Sequence, residues 1–344
     1  MKYVRYTLLL FFGILWIAGC SSDILNFLYR TETIPDDYRY GDLYRLSNLG
    51  QFKELKTACP PYPGTKSQKD GKKVALYIIG DSFTEPQRVD QRDFGVDYYQ
   101  YAHWGTILHL KLDTNYTNIV MLESVERKVR EHFASPIALI QPDSATFITV
   151  PQDPRLVTQV DNLFSSTPVE DRLTIILFQF DSILKIKELK SWINYTFFER
   201  TDPKVTVSKG GEHVVYVEDT DTDYPEASYS IVNDSEIDTI VNVMARNKAY
   251  LHQLGFDQVW LSMIPNKASI LMPDYGVYNH LIERIQGHPA LEVPFIDIYQ
   301  DFSVMKEAAY LRSDSHWTCE GRYRWLEKVN DRLNRFRQNQ PDVL

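Results

Sequence analysis

Three residues of this 344-residue chain have the types and settings that nucleophilic catalysis needs: Ser82, Asp314 and His316. Ser82 follows Gly80-Asp81, directly after the apolar run Val74-Ala75-Leu76-Tyr77-Ile78-Ile79. A serine hydroxyl is a weak nucleophile at neutral pH and needs a base within hydrogen-bond reach to take its proton. His316 stands in Arg312-Ser313-Asp314-Ser315-His316-Trp317-Thr318, so one loop carries both an imidazole and a carboxylate able to hold its tautomer. Read singly, Ser82 is a helix N-cap, Asp314 a turn former and His316 a satisfied histidine beside Trp317. Their joint occurrence is what points to attack on an ester carbonyl through an acyl-enzyme.

These residues need elements to position them. The run ending at Gly80 reads as a central strand of a parallel sheet covered on both faces, and ligands of such sheets sit beyond the strands' carboxyl ends, where Ser82 lies. Asn118–Leu122, Gln258–Ile264 and Phe295–Ile298 read as further strands. The third closes on Pro265-Asn266-Lys267. Asn266 is the leading candidate for an oxyanion or substrate-hydroxyl donor, and Lys267 either orients a substrate oxygen or is an ordinary loop lysine. Helices are expected over Trp104–Leu112, from Glu123 to Phe133, over Ser235–Leu254 and near Tyr278–Gln286. Within the second, Glu123 and Arg127 form a helix-supporting pair. The last helix takes Thr318 as N-cap and puts Tyr323, Leu326, Val329 and Leu333 on one face. The ring-rich stretch Phe94–Trp104, with Tyr98 and Trp104, could stack on sugar faces or simply pack.

From Ile137 to Asp234 the pattern fits an insertion or lid. Leu173, Ile176, Leu177, Phe180, Ile183 and Leu184 have helical spacing, as do Leu189, Trp192, Ile193 and Phe197, and both read as core stripes. A hairpin is expected over Val205–Glu218, and the acidic run Glu218–Asp223 reads as a solvated loop.

Gly80-Asp81-Ser82 and Asp314-Ser315-His316 resemble the first and last motif blocks of the SGNH hydrolase superfamily. The Asp-x-His-Trp-Thr form, with Trp317, is similar to the alginate O-acetyltransferase-like branch, and the Glu-x-x-Glu-Arg segment at Glu123–Arg127 resembles one found there. The resemblance implies an α/β, SGNH-like three-layer fold with a mostly parallel central sheet and an inserted lid-like segment. It also implies serine-dependent O-acetyl transfer to an envelope or exported polysaccharide, with a membrane acyl-donor protein as a further partner. Esterase activity, or a non-catalytic glycan-binding lipoprotein, are the alternatives. No Gly-x-Asn-Asp block follows Ser82, which leaves the second oxyanion donor unassigned.

The N-terminus sets the compartment. Lys2 and Arg5 precede an apolar run, Thr7–Gly19, too short for comfortable bilayer spanning, and Ile17-Ala18-Gly19-Cys20 resembles a bacterial lipobox. That implies a signal peptide over 1–19, lipidation of Cys20, a lipid-anchored tether and arm over 20–71, and an α/β domain over 72–340 with its insertion at about 137–234. Ser21 resembles the pattern that sends such lipoproteins to the outer membrane. Cys59 and Cys319 then remain, able to bridge in an oxidising compartment or to stay as two buried thiols. The net charge of −9 leaves no broad footprint for nucleic acid. Three cysteines without ligand spacing and scattered histidines imply neither a metal nor another cofactor.

Overall fold

The computed structural model describes residues 2–64, 73–142 and 180–338, apart from positions 22, 23, 25, 26, 29, 32, 35, 37, 107, 111 and 139. Along these residues run α1 (Lys2–Cys20), α2 (Asp42–Ser47), β1 (Lys73–Gly80), β2 (Tyr98–His103), β3 (Leu108–Leu110), β4 (Tyr116–Val125), α3 (Glu126–His132), β5 (Ile140–Pro142), α4 (Asp181–Phe198), β6 (Val205–Val207), β7 (Val214–Tyr216), α5 (Asp234–Gln253), β8 (Gln258–Ile264), α6 (Lys267–Leu271), α7 (Leu281–Gln286), β9 (Phe295–Ile296), α8 (Tyr299–Met305) and α9 (Cys319–Arg337). The chain divides into two compact units, one of residues 1–56 and 146–202, the other of residues 57–145 and 203–344. These boundaries fall at different places from the 71, 137 and 234 expected from composition.

The larger unit is α/β, with a five-stranded, all-parallel sheet in the order β2-β1-β4-β8-β9. Its central strands β1, β4 and β8 are buried along almost their whole length because both faces of the sheet are covered there, whereas the edge strand β2 is largely half-exposed. Val74, Leu76, Ile78, Ile119, Met121 and Trp260 face a core completed by Phe302 of α8 and Trp325, Leu326, Val329 and Leu333 of α9. Ala75, Tyr77, Ile79, Val120, Leu122, Val259 and Leu261 face the other core, filled by Ile237, Ile240, Met244 and Leu251 of α5 and Leu281 and Ile285 of α7. Helices on both faces of one sheet make three layers.

Several elements depart from expectation. β4 runs on through Glu123 to Val125, and α3 starts only at Glu126, so Glu123 belongs to a strand and not to a helical ion pair. Trp104–Leu112 is no helix: a turn at Gly105, with φ of 82°, leads into the short β3, which pairs with β5. The 295–298 strand is only two residues long, and α7 begins after His280, whose positive φ of 55° keeps a helix from starting at Tyr278. The expected hairpin forms as β6 and β7. Asp219 of the acidic run is not solvated but fully buried beside Arg127. Leu173, Ile176 and Leu177 lie outside the described residues.

Cys59 and Cys319, 260 positions apart in sequence, are joined, with Cα atoms 5.4 Å apart. Around the bond, Arg322 Nη1 and the Tyr323 hydroxyl both donate to the Pro60 carbonyl, at 3.0 and 2.8 Å. Arg322 also pairs with buried Asp93 at 2.5 Å, so the 57–64 segment is fastened to the start of α9. Closing so long a loop stabilises by about 5 kcal/mol on a chain-entropy account. Cys59→Ser with Cys319→Ser is therefore expected to lower the unfolding free energy by several kcal/mol in denaturant titration. An unchanged midpoint would show that the loop is held closed without the bond.

In the smaller unit, α2 and the residues flanking it pack on one face of α4. Arg39 reaches Asp181 at 2.7 Å, and Glu188 accepts from the Tyr44 hydroxyl at 2.6 Å and Lys53 Nζ at 2.8 Å. Leu184 is the one α4 residue fully buried there; Leu189, Trp192, Ile193 and Phe197, expected in a core, face outward.

Candidate active site

The turn after β1 is built by two carboxyl groups. Asp81 Oδ1 accepts from the Phe83 N–H at 3.1 Å and Oδ2 from the Val125 N–H at 2.6 Å, tying the turn to the end of β4. Glu123 Oε2 accepts from the Asp81 N–H at 2.9 Å and from the Thr84 hydroxyl at 2.8 Å. The Thr84 N–H donates to the Asp81 carbonyl, and Arg88 Nε holds the Ser82 carbonyl at 2.8 Å. A Cβ on Gly80 would stand 2.1 Å from Thr84 Oγ1 and 2.7 Å from Glu123 Oε2, so only glycine lets this cluster close. Residues 81, 83 and 84 thus spend their N–H groups on the turn, while no hydrogen bond of the Ser82 N–H is seen among the described residues.

Glu123 is fully buried, and burial, reinforced by the nearby Asp81 carboxylate, raises its pKa well above the ordinary carboxyl value. Burial therefore favours its neutral form. Its Oε1 makes no hydrogen bond among the described residues.

Ser82 Oγ lies 2.8 Å from His316 Nε2, and His316 Nδ1 lies 2.5 Å from Asp314 Oδ1. Asp314 Oδ1 also accepts the His316 N–H at 3.0 Å, which locks carboxylate and ring into one loop. Asp314 is 1% exposed and His316 7%, whereas Ser82 is half-buried. The loop is pinned from three sides. Leu311 N–H donates to the His316 carbonyl, Thr318 N–H to the Ala309 carbonyl, and Tyr310 bridges Trp317. Thr318 Oγ1 caps α9 by accepting from the Gly321 N–H at 3.1 Å. A Cβ on Gly321 would meet the Ala309 carbonyl at 2.4 Å, so this close approach also needs glycine.

Lys267 is the third pin. Its Nζ donates to the carbonyls of Leu311, Arg312 and Asp314 at 2.7, 3.1 and 3.2 Å, and the residue is 2% exposed. It is a clamp on the loop's backbone, neither a substrate-orienting group nor an exposed loop lysine. Lys267→Met would keep the stem's packing but take this donor from three loop carbonyls, that of Asp314 buried. Turnover is expected to fall about 100-fold with an altered His316 position, since a misplacement of about 1 Å costs that much. Full activity in the variant would show that the other two pins suffice.

Other expected site residues take structural roles. Asn266 accepts from the Arg127 N–H at 3.0 Å and donates to Ser228 Oγ at 3.0 Å, which fixes its amide in a scaffold role with the residue 1% exposed. Trp317 is buried between Phe83 and Trp325, at ring distances of 5.1 and 5.4 Å. Trp104 stacks on His132 at 4.4 Å and donates its indole N–H to the Glu123 carbonyl at 2.5 Å. Tyr98 pairs with Ala75 in register, five residues before the Gly80–His103 pair, which puts it roughly 16 Å below the carboxyl edge. It sits at the far end of the strand from Ser82.

Among known proteins the chain matches no family model, no curated protein and no solved structure. The site therefore rests on its geometry. Sequence reading missed Arg88 and Tyr101, whose hydroxyl donates to the Asp81 carbonyl at 2.9 Å, and it singled out Glu123 and Glu126 only as parts of the Glu-x-x-Glu-Arg segment, without their buried roles. Glu126 Oε2 accepts from the Asn266 N–H at 2.8 Å and from Ser269 Oγ at 2.5 Å, and burial, only partly offset by these bonds, pushes its pKa up to about 7. A signal for Glu123 existed: no turn residue separates it from the apolar run 119–122.

Proposed function

We propose that this protein is a serine-dependent acyltransferase that moves an acetyl or similar acyl group onto a hydroxyl of an envelope or exported polysaccharide. The observation that carries this reading is the ordered contact from Ser82 Oγ to His316 Nε2 and from His316 Nδ1 to Asp314 Oδ1. In the first half-reaction His316 takes the Ser82 proton as Oγ attacks the acyl carbonyl, and Asp314 steadies the imidazolium. The Ser82 N–H stabilises the oxyanion. His316 then returns its proton to the departing oxygen of the donor. In the second half-reaction a sugar hydroxyl gives its proton to His316 and attacks the acyl-enzyme, and His316 passes that proton to the departing Ser82 Oγ, restoring the starting state.

Space for an acceptor adjoins the loop. A cavity of about 370 Å³ is lined by Glu212, His213, Lys267, Glu307, Tyr310 and Arg312. Carboxylate, imidazole and guanidinium groups around a volume of this size suit the hydroxyls of a sugar ring. The Asp-x-His-Trp-Thr loop, which resembles that of polysaccharide acetyltransferases, favours transfer over hydrolysis, although Tyr98 and Trp104 supply no sugar platform. Lipidation at Cys20 would hold the enzyme at the envelope, on the outer membrane by the resemblance of Ser21, beside a membrane protein that delivers the acyl group.

An activated acetyl ester supplied with a panel of envelope oligosaccharides tests the reaction, with acetylated sugar and free acetate both measured. Sugar acetylation in excess of acetate is expected. Acetate alone would make the protein an esterase, and neither product would make it a binding protein.

A further inference from the structure

The helix α4 is amphipathic in the reverse sense of an ordinary surface helix. At about 100° per residue, Ile186, Leu189, Ile193 and Phe197 fall on one stripe with Trp192 on its flank. They are 65%, 56%, 38%, 67% and 49% exposed in that order. The opposite face points inward although it is largely polar: it carries Lys187, Glu188, Ser191 and Asn194 around buried Leu184, and Glu188 there is bonded to Tyr44 and Lys53. Lys185 and Lys190, both exposed, stand at the two borders of the apolar stripe. The rings of Trp192 and Phe197 meet edge to face at 5.7 Å, making the stripe a continuous surface.

We propose that this stripe lies in the headgroup region of a lipid bilayer, giving the smaller unit a second contact with the membrane. Two observations favour lipid over another protein. Lysines bordering an apolar stripe that includes a tryptophan can extend their ammonium groups to lipid phosphates while their stems stay with the acyl chains. The second is reach. Arg39 is bonded to Asp181 in the first turn of α4, and it follows Cys20 by only nineteen residues. Even fully extended, that stretch spans no more than about 65 Å. An anchor at residue 20, proposed above, therefore keeps α4 within that reach of the bilayer, and insertion of the stripe would fix the unit's orientation on it.

The test places a nitroxide at Leu189→Cys or Ile193→Cys in the full chain, reconstituted into vesicles of phosphatidylethanolamine and phosphatidylglycerol. Lys209→Cys, at an exposed loop position of the larger unit, is the reference, and the unsubstituted chain is the labelling blank. Collision with oxygen is expected to rise several-fold at 189 and 193 relative to 209, and collision with a water-soluble nickel chelate to fall several-fold. Shielding from both reagents would mean that protein covers the stripe, and water-like collision with both would mean that nothing does; either overturns the proposal. A parallel Cys20→Ser chain, read by its membrane-bound fraction, separates the anchor from the stripe. If it stays bound with lipid-immersed labels, the anchor fails and the α4 contact stands.

Discussion

Ser82→Ala is expected to abolish labelling by a serine-reactive fluorophosphonate probe and to lower acyl turnover by about 10⁴-fold or more. The fold should survive. The Ser82 hydroxyl makes its one observed hydrogen bond to His316, while the turn is held by Asp81, Thr84, Arg88 and Glu123. Thermal denaturation should therefore move by no more than about 1 kcal/mol, as for other substitutions outside the core. His316→Asn should match Ser82→Ala, and the double variant should be no worse than either, because members of one nucleophile–base unit are not additive. Asp314→Asn should also lose labelling, since an amide there no longer holds the Nδ1–H tautomer. Retained turnover in Ser82→Ala would sink the acyl-enzyme, and labelling at another residue would move the nucleophile.

Glu123→Gln is expected to stabilise the protein at neutral pH, whereas Glu123→Ala destabilises it. Burial and the Asp81 carboxylate raise the folded pKa of Glu123 well above the ordinary carboxyl value of 4.5. Above about pH 4.5 the unfolded chain releases this proton while the folded chain keeps it, so the folded state binds more protons and its stability falls as pH rises. Each pH unit passed below the folded pKa costs up to about 1.4 kcal/mol. Glutamine keeps an acceptor for the Asp81 N–H and the Thr84 hydroxyl and carries no such cost. Denaturant titrations from pH 4.5 to 8 should show a shallower decline in Glu123→Gln than in the parent. A residual slope will remain, because burial raises the pKa of Glu126 and Asp219 as well. Alanine would strip two buried donors of their acceptor and open a cavity beneath the nucleophile. Parallel pH curves for parent and glutamine variant would mean that Glu123 is ionised in the fold.

These two expectations differ in where they were legible. Ser82, Asp314 and His316 could be picked from the sequence because the serine follows an apolar strand, and because the histidine and the carboxylate share one loop before a capped helix. Residue type, strand period and a Thr318 cap are local properties, and they survive folding unchanged. Glu123 could not be read that way. A carboxyl group four residues before an arginine fits a helical ion pair by spacing alone, and only the parallel pairing of β4 with β8 through Val125 showed it to be the end of a buried strand. There its partner is Asp81, forty-two residues away. Lys267 shows the same limit: a lysine after a strand looks solvated until the 311–316 loop folds over it and presents three carbonyls to its ammonium group.

The sequence by itself determined the α/β class, the apolar strands, the final helix and the residues capable of nucleophilic chemistry. Each follows from short-range preferences that the chain carries wherever it goes. Only the tertiary structure decided which polar groups were consumed as scaffold. Asn266, Trp104 and Trp317 have the chemistry of binding residues, but packing brought partners that occupied them. It also decided that the stripe Ile186, Leu189, Ile193 and Phe197 faces outward, since helical period identifies an apolar face without saying what lies against it. The pairing of Cys59 with Cys319 across 260 residues belongs to the same class, because distance in space is created by the fold and is not written in any one segment.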